Sequence, residues 1–183
     1  LFKLYGIDKH ISESWNQMFF KLVIYKLIQT DIYITLDADI YLINNLSIDK
    51  LIMNNKYKYN KEPLKMHIEW WDASHKSLNY NINDINNKDG FGVTPSILCT
   101  NIMSKLDNYI INNTKYDLYN IFTTGVTEYS LYWTYILHNN YSYKYISIDL
   151  SNNDKCVWFK EDLLTNGEYD SEKIKKILSK QLN

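Results

Sequence analysis

Ile32-Tyr33-Ile34-Thr35-Leu36-Asp37-Ala38-Asp39-Ile40-Tyr41-Leu42-Ile43 is the stretch on which the fold reading turns. Ile32 to Leu36 is a short apolar, β-branched run, the pattern of a strand buried on both faces. It ends in two carboxylates one residue apart, after which an apolar run resumes. Charges beside a buried strand are costly unless something compensates them. The chain contains no arginine, and the nearest lysines in sequence are Lys26 and Lys50. A divalent cation is the simplest partner, because hard carboxylate oxygens suit Mg2+ or Mn2+. In an open α/β sheet, ligands gather at the carboxyl ends of strands, where this Asp-Ala-Asp falls. The plainer alternative makes Asp37 and Asp39 turn residues that close a strand.

Composition narrows the class. The 183 residues suffice for one domain with a real core, at 45% hydrophobic and a formal net charge of -1. That balance excludes a disordered tail and an electrostatic nucleic-acid binder. Every basic residue is a lysine, and Asn, Ile, Lys and Tyr abound, the bias of an AT-rich coding sequence. Asn-rich patches, and the glycosylation-like Asn45-Leu46-Ser47, Asn112-Asn113-Thr114 and Asn140-Tyr141-Ser142, are discounted accordingly. Cys99 and Cys156 make neither a disulfide framework nor a metal spacing, which favours a reducing compartment. No apolar run is long enough to span a membrane and no signal peptide is visible, so a cytoplasmic location is expected. The chain opens on Leu1 rather than Met, and residues upstream are expected.

Along the chain, residues 12–29 read as a helix, with Ser12 or Ser14 as cap and Trp15, Met18, Phe19, Leu22 and Val23 on one side. Gln17 and Lys21 lie one turn apart on a row that Ile24 and Ile28 continue. A row that turns apolar is not an ordinary solvated face, so its polar start is a candidate site wall; a snorkelling surface lysine is the alternative. A helical turn is expected around Leu46–Ile52, a polar loop over Asn54–Lys61 closed by Pro63, and a strand over Lys65–Trp70, where apolar and polar residues alternate. Trp71–Leu78 reads as helical and Asn79–Asp89 as a loop. After the glycines at 90 and 92, a strand-like run leads to Leu98. Thr100 can cap a helix through Met103, Leu106 and Ile110. Thr127 can cap another through Leu131, Trp133, Tyr135 and Leu137, apolar or aromatic nearly all round and hence interior. Tyr143–Leu150 reads as a strand, Cys156–Phe159 as an edge piece, and Ser171–Leu182 as an amphipathic helix. Alternating elements without repeat or linker point to a single α/β domain over 1–183 with a parallel or mixed sheet.

Several of these stretches together resemble one family. Trp15-Asn16-Gln17 with Lys21-Leu22, followed by Tyr33-Ile34-Thr35-Leu36-Asp37-Ala38-Asp39, looks like the helix and metal-binding strand of a GT-A-fold nucleotide-sugar glycosyltransferase. More narrowly, it is similar to the DUF6492 group of glycosyltransferase-like proteins. His67-Ile68-Glu69-Trp70-Trp71 falls where that group carries a histidine followed by a tryptophan and an aromatic. Thr127-Glu128-Tyr129-Ser130-Leu131-Tyr132 resembles its Ser/Thr-Glu-Tyr-x-Leu-Tyr segment. The resemblance runs from about Trp15 to His138. It departs at Val93-Thr94-Pro95, where many relatives carry a histidine. It departs also before Leu1, where a GT-A domain has the strand and helix that hold the nucleotide base; the resemblance therefore implies an N-terminally incomplete domain.

What the resemblance implies is transfer of a sugar from a nucleotide-sugar, with a UDP-sugar as expected donor, to a hydroxyl on a glycan or protein. Mn2+ or Mg2+ would be held by Asp39 with Asp37 assisting. Gln17, Lys21, Asp37, His67, Trp70 and Thr94 would contact substrate, and Glu128 would act as catalytic base or clamp a sugar hydroxyl. No nucleic-acid partner is implied. The residues alone leave plainer roles open: a helix-dipole role for Glu128, a structural role for His67, and core for Trp70 and Trp71. His10, His75 and His138 show no mutual metal-ligand spacing. Two rival functions stand beside this one. A strand ending in Asp-x-Asp also opens haloacid-dehalogenase-type phosphatases, but Tyr41 stands where those want Thr or Val, and no later acidic pair follows a glycine. The other is a non-catalytic glycosyltransferase-like module that binds carbohydrate or nucleotide.

Overall fold

The computed structural model describes residues 13–37, 40–42, 47–81, 89–92, 94–148, 156–158, 164–165 and 168–181. It is a mixed α/β protein whose residues group into two compact units interleaved along the chain. One takes residues 1–33, 62–91 and 98–141; the other takes 34–61, 92–97 and 142–183.

The first unit is mostly helical. Helix α1 (Glu13–Val23) buries Phe19, Leu22 and Val23 and half-buries Trp15 and Met18, as the apolar spacing predicts. Its end differs from expectation. The chain tightens into a 3-10 turn over Ile24–Lys26 and stops there, leaving Leu27 exposed. The turn aims two consecutive side chains at one acceptor: Tyr25 Oη donates to Asp107 at 2.7 Å and Lys26 Nζ lies 2.8 Å from the same oxygen. Ser14 lies inside the helix, so it is not the cap, and Ser12 lies outside the described residues.

The strand expected over Lys65–Trp70 is not there. Leu64–His67 form a 3-10 turn that leads into α3 (Ile68–Ser77). The alternation misleads because Met66 and Ile68 are exposed, 58% and 43%. The buried positions are Leu64, Trp71, Ser74, His75, Ser77 and Leu78, of which 71, 74, 75 and 78 follow a helical spacing. A short strand, β5 (Asp89–Phe91), precedes the second half of this unit. Helix α4 (Thr100–Asn113) buries Ile102, Met103, Leu106 and Ile110, but Cys99 takes the N-cap position. Thr100 is the first helical residue, and its hydroxyl instead donates to Thr30 O at 2.6 Å.

Helix α5 (Glu128–His138) is the centre of the unit and is buried from Glu128 through Ile136. Thr127 caps it as predicted. Its hydroxyl accepts from Ser130 N–H, while the Thr127 N–H donates back to Ser130 Oγ. Helices α1, α3 and α4 all pack on α5. Ser74 of α3 meets Ser130 hydroxyl to hydroxyl at 2.7 Å, and the Phe91 ring stacks on Trp133 with centroids 3.6 Å apart.

The second unit holds most of the strands. Strand β1 ends in it and covers Ile32–Thr35, pairing with β6 (Ser96–Cys99). β1 is not the doubly buried strand the sequence suggested: Thr35 is buried, but Ile34 is 37% exposed. β2 (Ile40–Leu42) pairs antiparallel with β8 (Cys156–Trp158). After the short α2 (Ile48–Leu51), Asn54 and Asn55 both take left-handed backbone conformations, φ 53° and 58°. That two-residue turn folds β3 (Ile52–Met53) back on β4 (Lys56–Pro63). The polar loop expected over Asn54–Lys61 is therefore a hairpin turn and a strand. Its tyrosines favour the extended state, and Tyr57 packs its ring against Tyr145 on β7 (Tyr145–Ile148), which runs parallel to β4. β9 (Leu164–Thr165), β10 (Glu168–Tyr169) and α6 (Ser171–Gln181) complete the described elements. Among the described residues no helix is long and apolar enough to cross a membrane.

Gly90 packs directly against Leu64 and Trp71 in the helical unit. A methyl there would overlap Leu64 and lie 2.6 Å from Trp71. Gly90→Ala is expected to lower unfolding free energy by about 1–3 kcal/mol, read as a shift of the urea midpoint at unchanged slope.

Candidate functional site

Glu128 and Lys21, which the sequence assigns to separate roles, form one pair inside the helical unit. Glu128 opens α5 and Lys21 sits in the last turn of α1. Lys21 Nζ donates to Glu128 Oε1 at 2.7 Å, with side chains 9% and 5% exposed. Residues flanking the pair hold it. The Lys21 ammonium lies 4.8 Å from the centre of the Tyr129 ring, a cation–π distance. Tyr33 Oη donates to Lys21 O at 3.0 Å, anchoring the end of α1. Burial pushes the Tyr33 phenol well above its ordinary value, with Tyr25, Cys99 and Tyr129 adding to the effect. Gln17, one turn before Lys21, is half-buried.

His67 and Trp70 lie on the same unit, stacked face to face with centroids 3.8 Å apart and planes 10° from parallel. Glu62 and Glu69 flank the imidazole, 3.8 Å from Nε2 and 3.9 Å from Nδ1. The sequence treats the two tryptophans alike; the structure separates them, Trp71 into the core and Trp70 half-buried under His67.

In the strand-rich unit Asp37 stands two residues past the end of β1 and is half-buried. Its backbone N–H donates to Thr94 Oγ1 at 2.8 Å. Thr94 itself is fully buried. Asp39 lies outside the described residues. Among the described residues no three His, Cys, Asp or Glu side chains are grouped to hold a metal ion.

Tyr33, Tyr129, Asn60 and Asp107 were not singled out by the sequence. For Asp107 a signal existed: an acid next to Leu106, in a row with Met103 and Ile110, is a buried charge waiting for a partner. Lys26 and Tyr25 answer it. His75 and His138, without ligand spacing in sequence, meet edge to face at 5.1 Å between centroids, and Tyr80 stacks on His138 at 4.1 Å.

Breaking the buried pair on one side strands the other charge. Lys21→Met is expected to cost about 3–5 kcal/mol in urea unfolding, and adding Glu128→Gln in the same chain to recover most of it. A second expectation concerns alkaline pH. Above the ordinary phenol value of 10.0 the unfolded Tyr33 gives up its proton while the folded one keeps it. The unfolded state then binds fewer protons, so stability falls as pH rises. Tyr33→Phe should flatten that alkaline limb by up to about 1.4 kcal/mol per pH unit, measured from denaturation midpoints between pH 9 and 11, on the order of one unit either side of the phenol value.

Comparison with known proteins gives one family. The chain matches a family of unknown function, DUF6492, over residues 3–177. No curated protein and no solved structure matches it. With nearly its whole length inside that match, the chain belongs to the DUF6492 family.

Proposed function

We propose that this protein is a metal-dependent glycosyltransferase of GT-A-like fold, moving a sugar from a nucleotide-sugar, a UDP-sugar by preference, to a hydroxyl acceptor. The observation that carries the reading is Asp37. A half-buried carboxylate just past the end of a strand, with its backbone pinned by a buried hydroxyl, is where an α/β protein gathers a phosphate-bearing ligand. The order of the glycosyltransferase-like segments along the chain supports it independently.

The donor set fits the metal. Mg2+ and Mn2+ sites of this kind take one or two carboxylates and complete their shell with substrate phosphates and water, so no protein cage of three ligands is required. Asp37 and Asp39 would hold the ion. When bound, it supplies neutralisation of the charge that develops on the leaving diphosphate.

The chain's own residues divide the remaining work. The Lys21 ammonium, 2.7 Å away, occupies Oε1 of Glu128. A general base works by taking up a proton, so of the two roles the sequence left open, the pair favours a clamp that accepts a hydrogen bond from a sugar hydroxyl. Lys21 then acts by orienting Glu128. Trp70 with His67 offers a flat aromatic face flanked by Glu62 and Glu69, the chemistry that receives a sugar ring.

Calorimetry of UDP binding with and without Mn2+ tests the reading. The wild type is expected to bind UDP with Mn2+ and only weakly without it, Asp37→Asn and Asp39→Ala to lose the metal-assisted part, and UDP-sugar turnover to depend on the metal. Metal-assisted UDP binding with no turnover on any donor would make the protein a binding module. Phosphate release from a simple monoester without a nucleotide would favour the phosphatase.

A further inference from the structure

The sequence groups Thr94 with residues that contact substrate, yet it is 0% exposed and its hydroxyl is engaged by the Asp37 N–H. The segment around it is tied to β4 through Asn60, a buried polar residue in the middle of that strand. Asn60 O accepts from Gly92 N–H at 2.6 Å, and Asn60 Nδ2 donates to Thr94 O at 3.4 Å. The close approach needs Gly92: a Cβ there would sit 3.1 Å from Asn60 Cβ and 3.2 Å from Asn60 O. Farther along, Thr35 Oγ1 at the end of β1 donates to Ser96 O at 3.4 Å.

We propose that Thr94 and Asn60 are positioning residues for the cation site. Thr94 Oγ1 receives the Asp37 amide and fixes the direction in which the chain, and the Asp37 carboxylate with it, leaves β1; Asn60 fixes Thr94 by holding Gly92 N and Thr94 O. The proposal rests on the reading of Asp37 as a cation ligand and adds how that ligand is aimed. Three features single out this role. A backbone N–H just past a strand end has no ladder partner and must find another acceptor, and the one it finds is a side chain. That side chain is itself buried, so its rotamer is set by packing. The strand that supports it carries a buried Asn where an apolar residue would pack without needing a partner. A cation bound through few protein oxygens depends on their orientation, and outer partners that set it are worth about 10- to 100-fold in affinity.

The test uses the full chain and Mn2+, with free ion counted by its paramagnetic resonance signal during titration and thermal melting recorded in parallel. Thr94→Val keeps shape and burial but removes the acceptor, and is expected to weaken Mn2+ binding about 10- to 100-fold. Thr94→Ser restores the acceptor and should return affinity to within about threefold of wild type, a rescue that a purely packing role would not produce. Asn60→Ala, which keeps the main-chain carbonyl and deletes the donor to Thr94 O, should weaken binding by about tenfold and carries the test should Thr94→Val fail to fold. Mn2+ binding unchanged in these variants, while Asp37→Asn weakens it, overturns the proposal and leaves the metal reading standing. A wild type that takes up no Mn2+ overturns both.

Discussion

The Glu128 carboxylate is the constraint around which the helical unit is built. It opens a helix buried through Ile136, where water is excluded, and an ionised group there needs a charge of the opposite sign within hydrogen-bond reach. Lys21 supplies it from the last turn of α1. Once that is required, much else follows. Helix α1 must cross α5 near its amino end, Tyr129 must lie under the ammonium, and Tyr33 caps the approach by bonding Lys21 O. The pair adds little stability over an apolar substitute of equal volume. What it specifies is which turn of α1 meets which turn of α5.

The same device recurs just past the same end of α1. Asp107, buried on α4, draws Tyr25 and Lys26 out of the α-helical path and into a 3-10 turn. The helical unit is thus an apolar core registered by two buried acids, each answered from α1 or its extension. In the strand-rich unit the registering groups are neutral: Asn60, Thr94 and Thr35 bond backbone atoms of neighbouring segments. Neutral hydrogen bonds suffice there because the groups they satisfy are uncharged backbone atoms.

Where sequence and structure part, the reasons are local. Alternation over Lys65–Trp70 imitates a strand because Met66 and Ile68 are exposed apolar residues, and only burial shows that Trp71, Ser74, His75 and Leu78 carry the helical period. Asn54–Asn55 reads as one more asparagine-rich loop in a chain full of asparagines, so the left-handed hairpin signal is drowned by composition. Strand β1 looks doubly buried from its β-branched residues alone, whereas Ile34 faces outward. In each case a one-dimensional pattern was compatible with two solutions, and packing chose between them.

The sequence by itself determined the α/β class, the interior helix with Thr127 as its cap, the strand that delivers Asp37, and membership of the DUF6492 family, which matches over residues 3–177. These are readable because they rest on contiguous residues: a period, a cap three residues from its partner, a charged pair after an apolar run. Only the tertiary structure decided that Lys21 and Glu128 are a pair, that Thr94 is buried with its hydroxyl on the Asp37 N–H, and that Asn60 bonds the Thr94 carbonyl. Those facts join residues far apart in the chain through bonds of 3.4 Å or less, and no spacing in the sequence encodes a contact that exists only after the chain has closed on itself.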